Sequence, residues 1–226
     1  MPDDQTSQRT SREDWLNAAR VILTEEGIDQ VKILRLAELL GVSRSSFYWF
    51  FSDRNALLAA LLNLWGAHNT GSIVARAEQP SATITKAVLR VFECWVDPRL
   101  FDAQLDFAIR EWARRDEAIR ADIDAADSAR LSALSAMFRR HGFAPQAALV
   151  RARILYFTQV GYFALVTSES MAERRSLTSD YVLGFTGLHP SSEELDALDQ
   201  FLQSVPPDSH RLAGVNFAKD RHEKPD

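Results

Sequence analysis

Residues 33–57, ILRLAELLGVSRSSFYWFFSDRNAL, predict two short helices joined by a glycine turn and the start of a third helix. Apolar side chains recur at i, i+3, i+4 and i+7 between Ile33 and Leu40, which indicates a two-turn helix with one buried face. Gly41 supplies the left-handed residue that ends such a helix, and we expect the side chain of Ser43 to cap the next one. The pattern is that of a helix-turn-helix.

The second helix of this motif is predicted from Ser43 to Phe50, and its two sides differ in chemistry. Phe47 and Phe51 share the buried side with Val42. The outward side is polar, basic and aromatic at once, and it carries Arg44, Ser45, Ser46, Tyr48 and Trp49. A surface of this composition suits the major groove of DNA and the phosphates that flank it.

The run from residue 36 to residue 57 resembles the DNA-binding motif of TetR-family transcription regulators. Five residues match the family's hydrophobic-Tyr-x-x-Phe-x-x-Lys-x-x-Leu pattern, namely Phe47, Tyr48, Phe51, Arg54 and Leu57. The Leu-Ala and Gly-Val-Ser segments lie at the expected distances upstream. Arg54 replaces the usual lysine and keeps a cation there. Lys32 stands where a threonine often caps the first helix of the motif, and its side chain is a candidate phosphate contact instead.

The resemblance implies a ligand-responsive transcription regulator, usually a repressor, that acts as a homodimer on a palindromic operator of double-stranded DNA. Candidate base-reading residues are Arg44, Ser45, Ser46 and Trp49, and candidate phosphate-binding residues are Lys32, Ser43, Tyr48 and Arg54. A small effector would act by favouring a form of the dimer in which the two reading helices are wrongly spaced.

The overall charge of the chain limits how it can meet DNA. The 226 residues carry a formal net charge of −5, and the pI is near 5.6. This balance argues against a protein that coats nucleic acid without specificity, so any DNA contact must come from a local patch. Residues 32–54 hold four basic and two acidic side chains, a net charge of +2. Dimerisation would double this modest patch.

The sequence lacks the common motifs of enzymes and metal sites. Cys94 is the only cysteine, and the five histidines are scattered without an H-E-x-x-H pattern. The chain has no G-x-S-x-G elbow, no Walker A loop and no G-x-G-x-x-G turn. We therefore expect no catalysis, no cofactor and no metal.

Three features predict a cytoplasmic protein without a membrane anchor. A lone cysteine is compatible with a reducing compartment. The N-terminal residues are polar and lack the apolar segment of a signal peptide. The longest apolar stretch, residues 154–166, contains Thr158 and Gln159 and is too short to span a bilayer.

Helical periodicity continues through the rest of the chain, with no strand pattern, so the predicted class is all-α. A helix from Asp53 to about Ala77 should join the motif to a larger helical body. We divide the chain into a mobile arm (1–10), a helix-turn-helix domain (11–57), an effector-binding and dimerisation domain (58–204) and a polar tail (205–226). Capping boxes are predicted at Ser11/Asp14, Ser170/Glu173 and Ser191/Glu194.

Aromatic residues of the body are candidates for the effector pocket that the resemblance implies. Most of them should be core, and a minority should line a cavity for a small, largely apolar ligand. The candidates are Trp65, Phe92, Trp95, Phe107, Arg110, Trp112, Phe138 and Tyr156. Arg110 is included for an acidic ligand, although an ion pair with Asp106 or Glu111 is the stronger alternative for it.

The helix predicted over residues 145–167 is apolar on more than one side, and one core cannot cover all of it. We expect it to form a four-helix dimer contact together with the helix at 192–204. The candidate interface residues are Phe157, Val160, Gly161, Ala164, Leu195, Leu198, Phe201 and Leu202.

Two other functions are weighed against a transcription regulator. The first alternative is a helical protein-interaction module whose helix-turn-helix does not bind DNA, and the next alternative is an enzyme.

Overall fold

The structure, a computed structural model, describes residues 10–165 and 169–205. The predicted arm and tail lie outside these residues apart from Thr10 and Val205, as does the end of the helix predicted at 145–167. Every regular element in the described ranges is a helix, which confirms the all-α class. The α-helices are α1 (Arg12–Glu26), α2 (Ile33–Leu40), α3 (Arg44–Phe47), α4 (Arg54–Trp65), α5 (Gly71–Glu78), α6 (Ile84–Val96), α7 (Ala103–Ala113), α8 (Glu117–Arg140), α9 (Pro145–Ala164), α10 (Met171–Thr186) and α11 (Ser192–Ser204).

Helix boundaries follow local side-chain chemistry. The three predicted capping boxes begin α1, α10 and α11. In the first of them the backbone N–H and the hydroxyl of Ser11 donate to Asp14, which holds the pKa of that carboxyl below its usual value. Gly41 ends α2 and Gly187 ends α10, both in the left-handed conformation, with φ of 66° and 81°.

The chain forms two compact units. Among the described residues, the first unit contains residues 10–68 and 105–124, so α7 and the beginning of α8 pack with the N-terminal helices. The buried Asp106 of α7 accepts hydrogen bonds from Trp65 Nε1 and Arg110 Nε, both at 2.9 Å. This unit therefore extends beyond the boundary at residues 57 and 58 that the sequence suggested.

The second unit contains residues 69–104, 125–165 and 169–205. Its central element is α6, which packs against α5, α10 and α11. Val88 and Val91 of α6 are fully buried with Phe138 of α8 and Val182 of α10. This core supports the cavity described below.

The helix predicted from Asp53 to Ala77 is interrupted by a π-helical segment, Gly66–Thr70. The buried Asn69 in this segment donates from Nδ2 to the carbonyl of Asp102 at 2.9 Å and accepts from its N–H at 3.0 Å. The wider turn brings an amide side chain inward, where it satisfies both polar groups of one backbone residue. The boundary between the two units falls inside this segment.

Candidate nucleic-acid interface and ligand cavity

The turn between α2 and α3 has the predicted glycine but not the predicted cap. Ser43 occupies the N-cap position of α3, yet its side chain makes no capping hydrogen bond. Its Oγ instead lies 2.9 Å from Ser45 Oγ, while Ser46 Oγ donates to the Ser43 carbonyl at 2.6 Å. The expectation of a Ser43 side-chain cap is wrong, because the three serines bond to one another.

The reading helix is shorter than the predicted span from Ser43 to Phe50. Regular α-helix covers Arg44–Phe47, and a turn follows in which the N–H groups of Phe50 and Phe51 both donate to the Phe47 carbonyl. Phe47 is fully buried and meets the Trp15 ring edge-on, with centroids 5.2 Å apart. The tight turn lets Phe47 and Phe51 enter the same core.

The predicted outward residues lie together on the surface around α3. Trp49 is 85% exposed and Tyr48 is 51% exposed. Arg44 and Ser45 are also exposed, and Ser46 is partly exposed. Arg44 Nη2 lies 3.5 Å from the hydroxyl of Tyr48, so the cation and the phenol are neighbours. Large apolar rings are costly to leave in water, and an aromatic surface of this kind is suited to a partner.

The four cations of the motif differ in their availability. Arg35 pairs with Glu26 at 3.0 Å. Arg54 donates from Nε to the Val31 carbonyl at 2.6 Å and from Nη2 to the Ile28 carbonyl at 2.8 Å. Lys32 and Arg44 are exposed and form no ion pair with any described residue. Lys32 and Arg44 can therefore offer a phosphate or a base an exposed charge, whereas Arg54 can contribute its charge only from a guanidinium that already binds two backbone carbonyls.

A cavity of about 90 Å³ lies in the second unit, lined by residues of α6, α9 and α10. Two predicted effector residues, Phe92 and Trp95, line it. The sequence analysis did not single out the other lining residues, which are Val96, Leu155, Thr158, Gln159, Tyr162, Arg174, Thr178, Tyr181 and Phe185. A cavity with mostly apolar walls and a few polar groups has the form of a small-molecule site.

Six predicted effector residues do not line this cavity. Four lie in the first unit: Trp65 and Arg110 bond to Asp106, Trp112 Nε1 donates to Asp116 at 3.3 Å, and Phe107 is 41% exposed. The stronger alternative for Arg110, an ion pair with Asp106, is confirmed. In the second unit Phe138 is fully buried, and the Tyr156 hydroxyl donates to Asp127 at 2.7 Å.

The outer face of α9 is apolar and exposed. Val150, Ile154 and Phe157 are 48%, 48% and 51% exposed. Gly161 and Ala164 continue this stripe at alternating spacings of four and three residues along the helix. A Cβ built on Gly161 would meet no atom within 4 Å. The stripe is therefore open in the single chain, while Val160, also predicted at the interface, packs against the chain's own core.

The predicted interface residues of α11 turn largely inward. Leu198 is 7% exposed in the core of the second unit, and Leu202 packs against that core. The Phe201 ring lies under the Arg76 guanidinium at 5.9 Å, and Leu195 is partly buried. The assignment of Leu198 to a dimer interface is wrong, because α11 uses this residue to close its own core against α6.

The described residues hold no cluster of three or more His, Cys, Asp or Glu side chains that could bind a metal ion. Burial raises the pKa of the Cys94 thiol to about 12, which leaves it protonated and inert at neutral pH. No helix within residues 10–165 and 169–205 combines the length and apolar content needed to cross a lipid bilayer.

Comparison with known proteins gives matches in sequence and in fold. Residues 16–61 match the family model of bacterial regulatory proteins of the tetR family. Tetracycline repressor protein class A from transposon 1721, of Escherichia coli, is 40% identical over 63 residues, 28% of this chain and 29% of that protein. The HTH-type transcriptional regulator TtgR of Pseudomonas putida is 31% identical over 88 residues, 36% of this chain and 41% of that protein. The chain thus covers less than half the length of either relative.

Similarity of fold extends much further along the chain. The crystal structure of the regulator FadR from Bacillus subtilis, in complex with stearoyl-CoA, superposes with a TM-score of 0.55. The superposition covers 79% of this chain and 100% of the FadR chain, and the two sequences are 16% identical. At this level of identity the likeness concerns the fold.

Proposed function

We propose that this chain is a TetR-family regulator, which binds a specific palindromic operator as a homodimer and represses transcription. The match of its N-terminal domain to that family supports this proposal. Binding of a small effector in the second unit weakens the protein's hold on the operator. The alternative, a helical interaction module that does not bind DNA, predicts no affinity for any duplex.

The observation that carries this proposal is that one side of α3 packs into the core of the first unit while the other side is exposed to solvent. Phe47 anchors the reading helix against Trp15, while Arg44, Tyr48 and Trp49 point to solvent as one polar, basic and aromatic surface. An arginine at the start of a helix that enters the major groove can donate two hydrogen bonds to a guanine. Tyr48 and Lys32 flank it as contacts to phosphates, and Ser45, Ser46 and Trp49 are further candidates for base edges.

Repression and dimerisation are supported by different observations. One relative of the N-terminal domain is a repressor by its name, the tetracycline repressor. Dimerisation is supported by the stripe on α9, where a Cβ built on Gly161 meets no atom of the described residues within 4 Å. A glycine inside a helix costs stability relative to alanine, so an open position that keeps glycine suits the close approach of a second helix. The two α3 helices of a dimer would then bind the two half-sites of a palindrome.

Arg44→Ala is expected to weaken binding to the cognate operator by about 1–3 kcal/mol and to weaken binding to random DNA much less. The operator would be sought in the DNA that flanks the gene, and affinities would be measured by fluorescence anisotropy. Arg120→Ala, which removes an exposed arginine paired with Asp124, is the matched control and should leave both affinities unchanged. Equal losses on both DNAs would assign Arg44 to a phosphate, and no loss on either would remove it from the interface.

Arg54→Ala is expected to weaken cognate and random DNA alike and to lower the salt dependence of log K by about one. Because Arg54 also holds the carbonyls of Val31 and Ile28, the substitution should lower the free energy of unfolding by about 1–3 kcal/mol. Titrations at several salt concentrations and urea unfolding separate the two effects. An unchanged salt slope with reduced stability would mean that Arg54 acts only within the protein.

A further inference from the structure

The cavity of the second unit has apolar walls and buried donors. Phe92, Leu155 and Phe185 supply apolar surface from α6, α9 and α10. The volume of about 90 Å³ corresponds to roughly six to nine water-sized sites, enough for a ring or a short alkyl chain. Burial of its apolar part would supply most of the binding free energy of a ligand in this cavity.

Two side chains that line the cavity carry a buried N–H group with no acceptor among the described residues: Arg174 Nε and Trp95 Nε1. The third such group in the described residues is Trp15 Nε1, which lies in the core of the first unit and does not line this cavity. A buried donor without an acceptor is rare and costs stability. The coincidence of two of them in one cavity wall suits an acceptor that a bound ligand supplies.

The environment of Arg174 favours an anion as that acceptor. Its guanidinium lies over the ring of Tyr162, 4.5 Å from the centroid. Burial lowers the pKa of Arg174, and the nearby Glu169 carboxylate opposes this effect. Tyr162 donates its hydroxyl hydrogen to Glu169, so one oxygen of that carboxylate is already engaged. A half-buried guanidinium gains most from a carboxylate, whose two oxygens match its planar fork.

The next residue along α10 provides a contrast. Arg175 is exposed and forms an ion pair with Asp199 of α11. The two adjacent arginines therefore differ in surroundings, because Arg175 is paired outside while Arg174 lines the cavity with its Nε unpaired. The sequence Arg174-Arg175 does not reveal this difference, which depends on how α10 packs.

We propose that the cavity binds a small organic carboxylate with an aryl or alkyl body, its carboxylate accepting from Arg174 and its apolar body lying against Phe92, Leu155 and Phe185. Trp95 Nε1 supplies a second donor. This inference rests on the proposed function in that it names the chemical class of the effector.

Calorimetric titration of the full-length chain tests the charge preference with matched pairs of probes. Phenylacetate is compared with phenylacetamide and octanoate with octanamide, because each pair shares its shape and differs in charge. At least one carboxylate should bind about 10-fold or more tightly than its amide. If no carboxylate binds at millimolar concentration, or if acids and amides bind alike, the inference is wrong.

Variants assign the preference to Arg174. Arg174→Gln should reduce the difference between acid and amide to about 2-fold or less, whereas Arg175→Gln should preserve it. Circular dichroism checks that both variants remain folded. A preference that survives Arg174→Gln would overturn the role of this residue.

DNA binding without ligand is measured separately by anisotropy, so the two proposals fail independently. Carboxylate binding without DNA binding would refute the proposed function and leave the cavity's chemistry standing. DNA binding without a carboxylate preference would refute only this inference. If both hold, the tightest carboxylate should release the parent from its operator and have little effect on Arg174→Gln.

Discussion

Phe157→Glu is expected to convert a dimer into a monomer and to reduce operator affinity by at least about 100-fold. Phe157 lies at the middle of the exposed α9 stripe and is 51% exposed in the single chain. A carboxylate there remains hydrated in the monomer but is desolvated without a partner in the dimer, so the charge opposes association. Light scattering on the purified proteins gives the oligomeric state, and anisotropy gives the affinity.

Phe107→Glu is the matched control, since Phe107 is a similarly exposed phenylalanine of the first unit, 41% exposed, outside the stripe. It should stay dimeric and keep its DNA affinity. A second comparison uses glycines: Gly161→Ala and Gly184→Ala both add a methyl group to open space on a helix. Each should stabilise the single chain by about 0.5–1 kcal/mol, but only Gly161→Ala should weaken the dimer. A monomeric parent, or a dimeric Phe157→Glu variant, would contradict this interface.

Much of the fold was predictable because helix ends are set by local chemistry. The capping box at Ser170 and the left-handed Gly187 bound α10 at the expected places, because each feature depends on residues within one turn. The length of α3 and its missing side-chain cap were not predictable in this way. The length follows from the burial of Phe47 and Phe51 in one core, which overrides the local preference for a longer helix. The cap is missing because the Ser43 hydroxyl lies against Ser45 instead.

The candidate reading surface was predictable for a related reason. Periodicity separates Phe47 from Arg44 and Trp49, and the structure keeps that separation. The cavity was not predictable, because an aromatic residue on a buried helix face has the same pattern whether it meets another side chain or an empty space. Trp65 and Trp95 look alike in sequence, yet within the described residues Trp65 Nε1 has an acceptor, the carboxylate of Asp106 41 positions further along the chain, and Trp95 Nε1 has none.

The stripe of α11 shows the same limit for interfaces. The spacing of Leu198 and its neighbours identifies an apolar face but does not say which surface covers it. In the structure that surface is α6 of the same chain, with Thr85 of α6 donating to Glu194 at the start of α11 at 2.8 Å. Pairing of this kind joins residues more than a hundred positions apart, beyond the reach of periodicity.

Arg130 is the residue that sequence reasoning missed most completely, since an arginine on a long charged helix is normally solvated. It is fully buried in the second unit. Its Nε donates to Thr70 Oγ1 at 3.0 Å and its Nη1 to the Tyr156 hydroxyl at 2.9 Å, while Asp127 lies 3.8 Å away. The guanidinium also faces the Phe101 ring at 5.5 Å. One side chain thus connects several elements of this core.

Arg130→Ala is accordingly expected to lower the free energy of unfolding by about 3–5 kcal/mol, because it empties a large core volume and removes hydrogen bonds made by a charged group. For a chain of this size the melting temperature should fall by roughly 10 °C. Arg120→Ala, on the same helix but exposed and paired with Asp124, is the control and should cost at most about 1 kcal/mol. Arg130→Met restores much of the volume without the charge. The difference in unfolding free energy between Arg130→Met and Arg130→Ala therefore gives the part of the loss that is due to packing. Urea unfolding of the three variants beside the parent decides the matter, and a loss for Arg130→Ala no larger than that for Arg120→Ala would show that the buried guanidinium does not hold this core together.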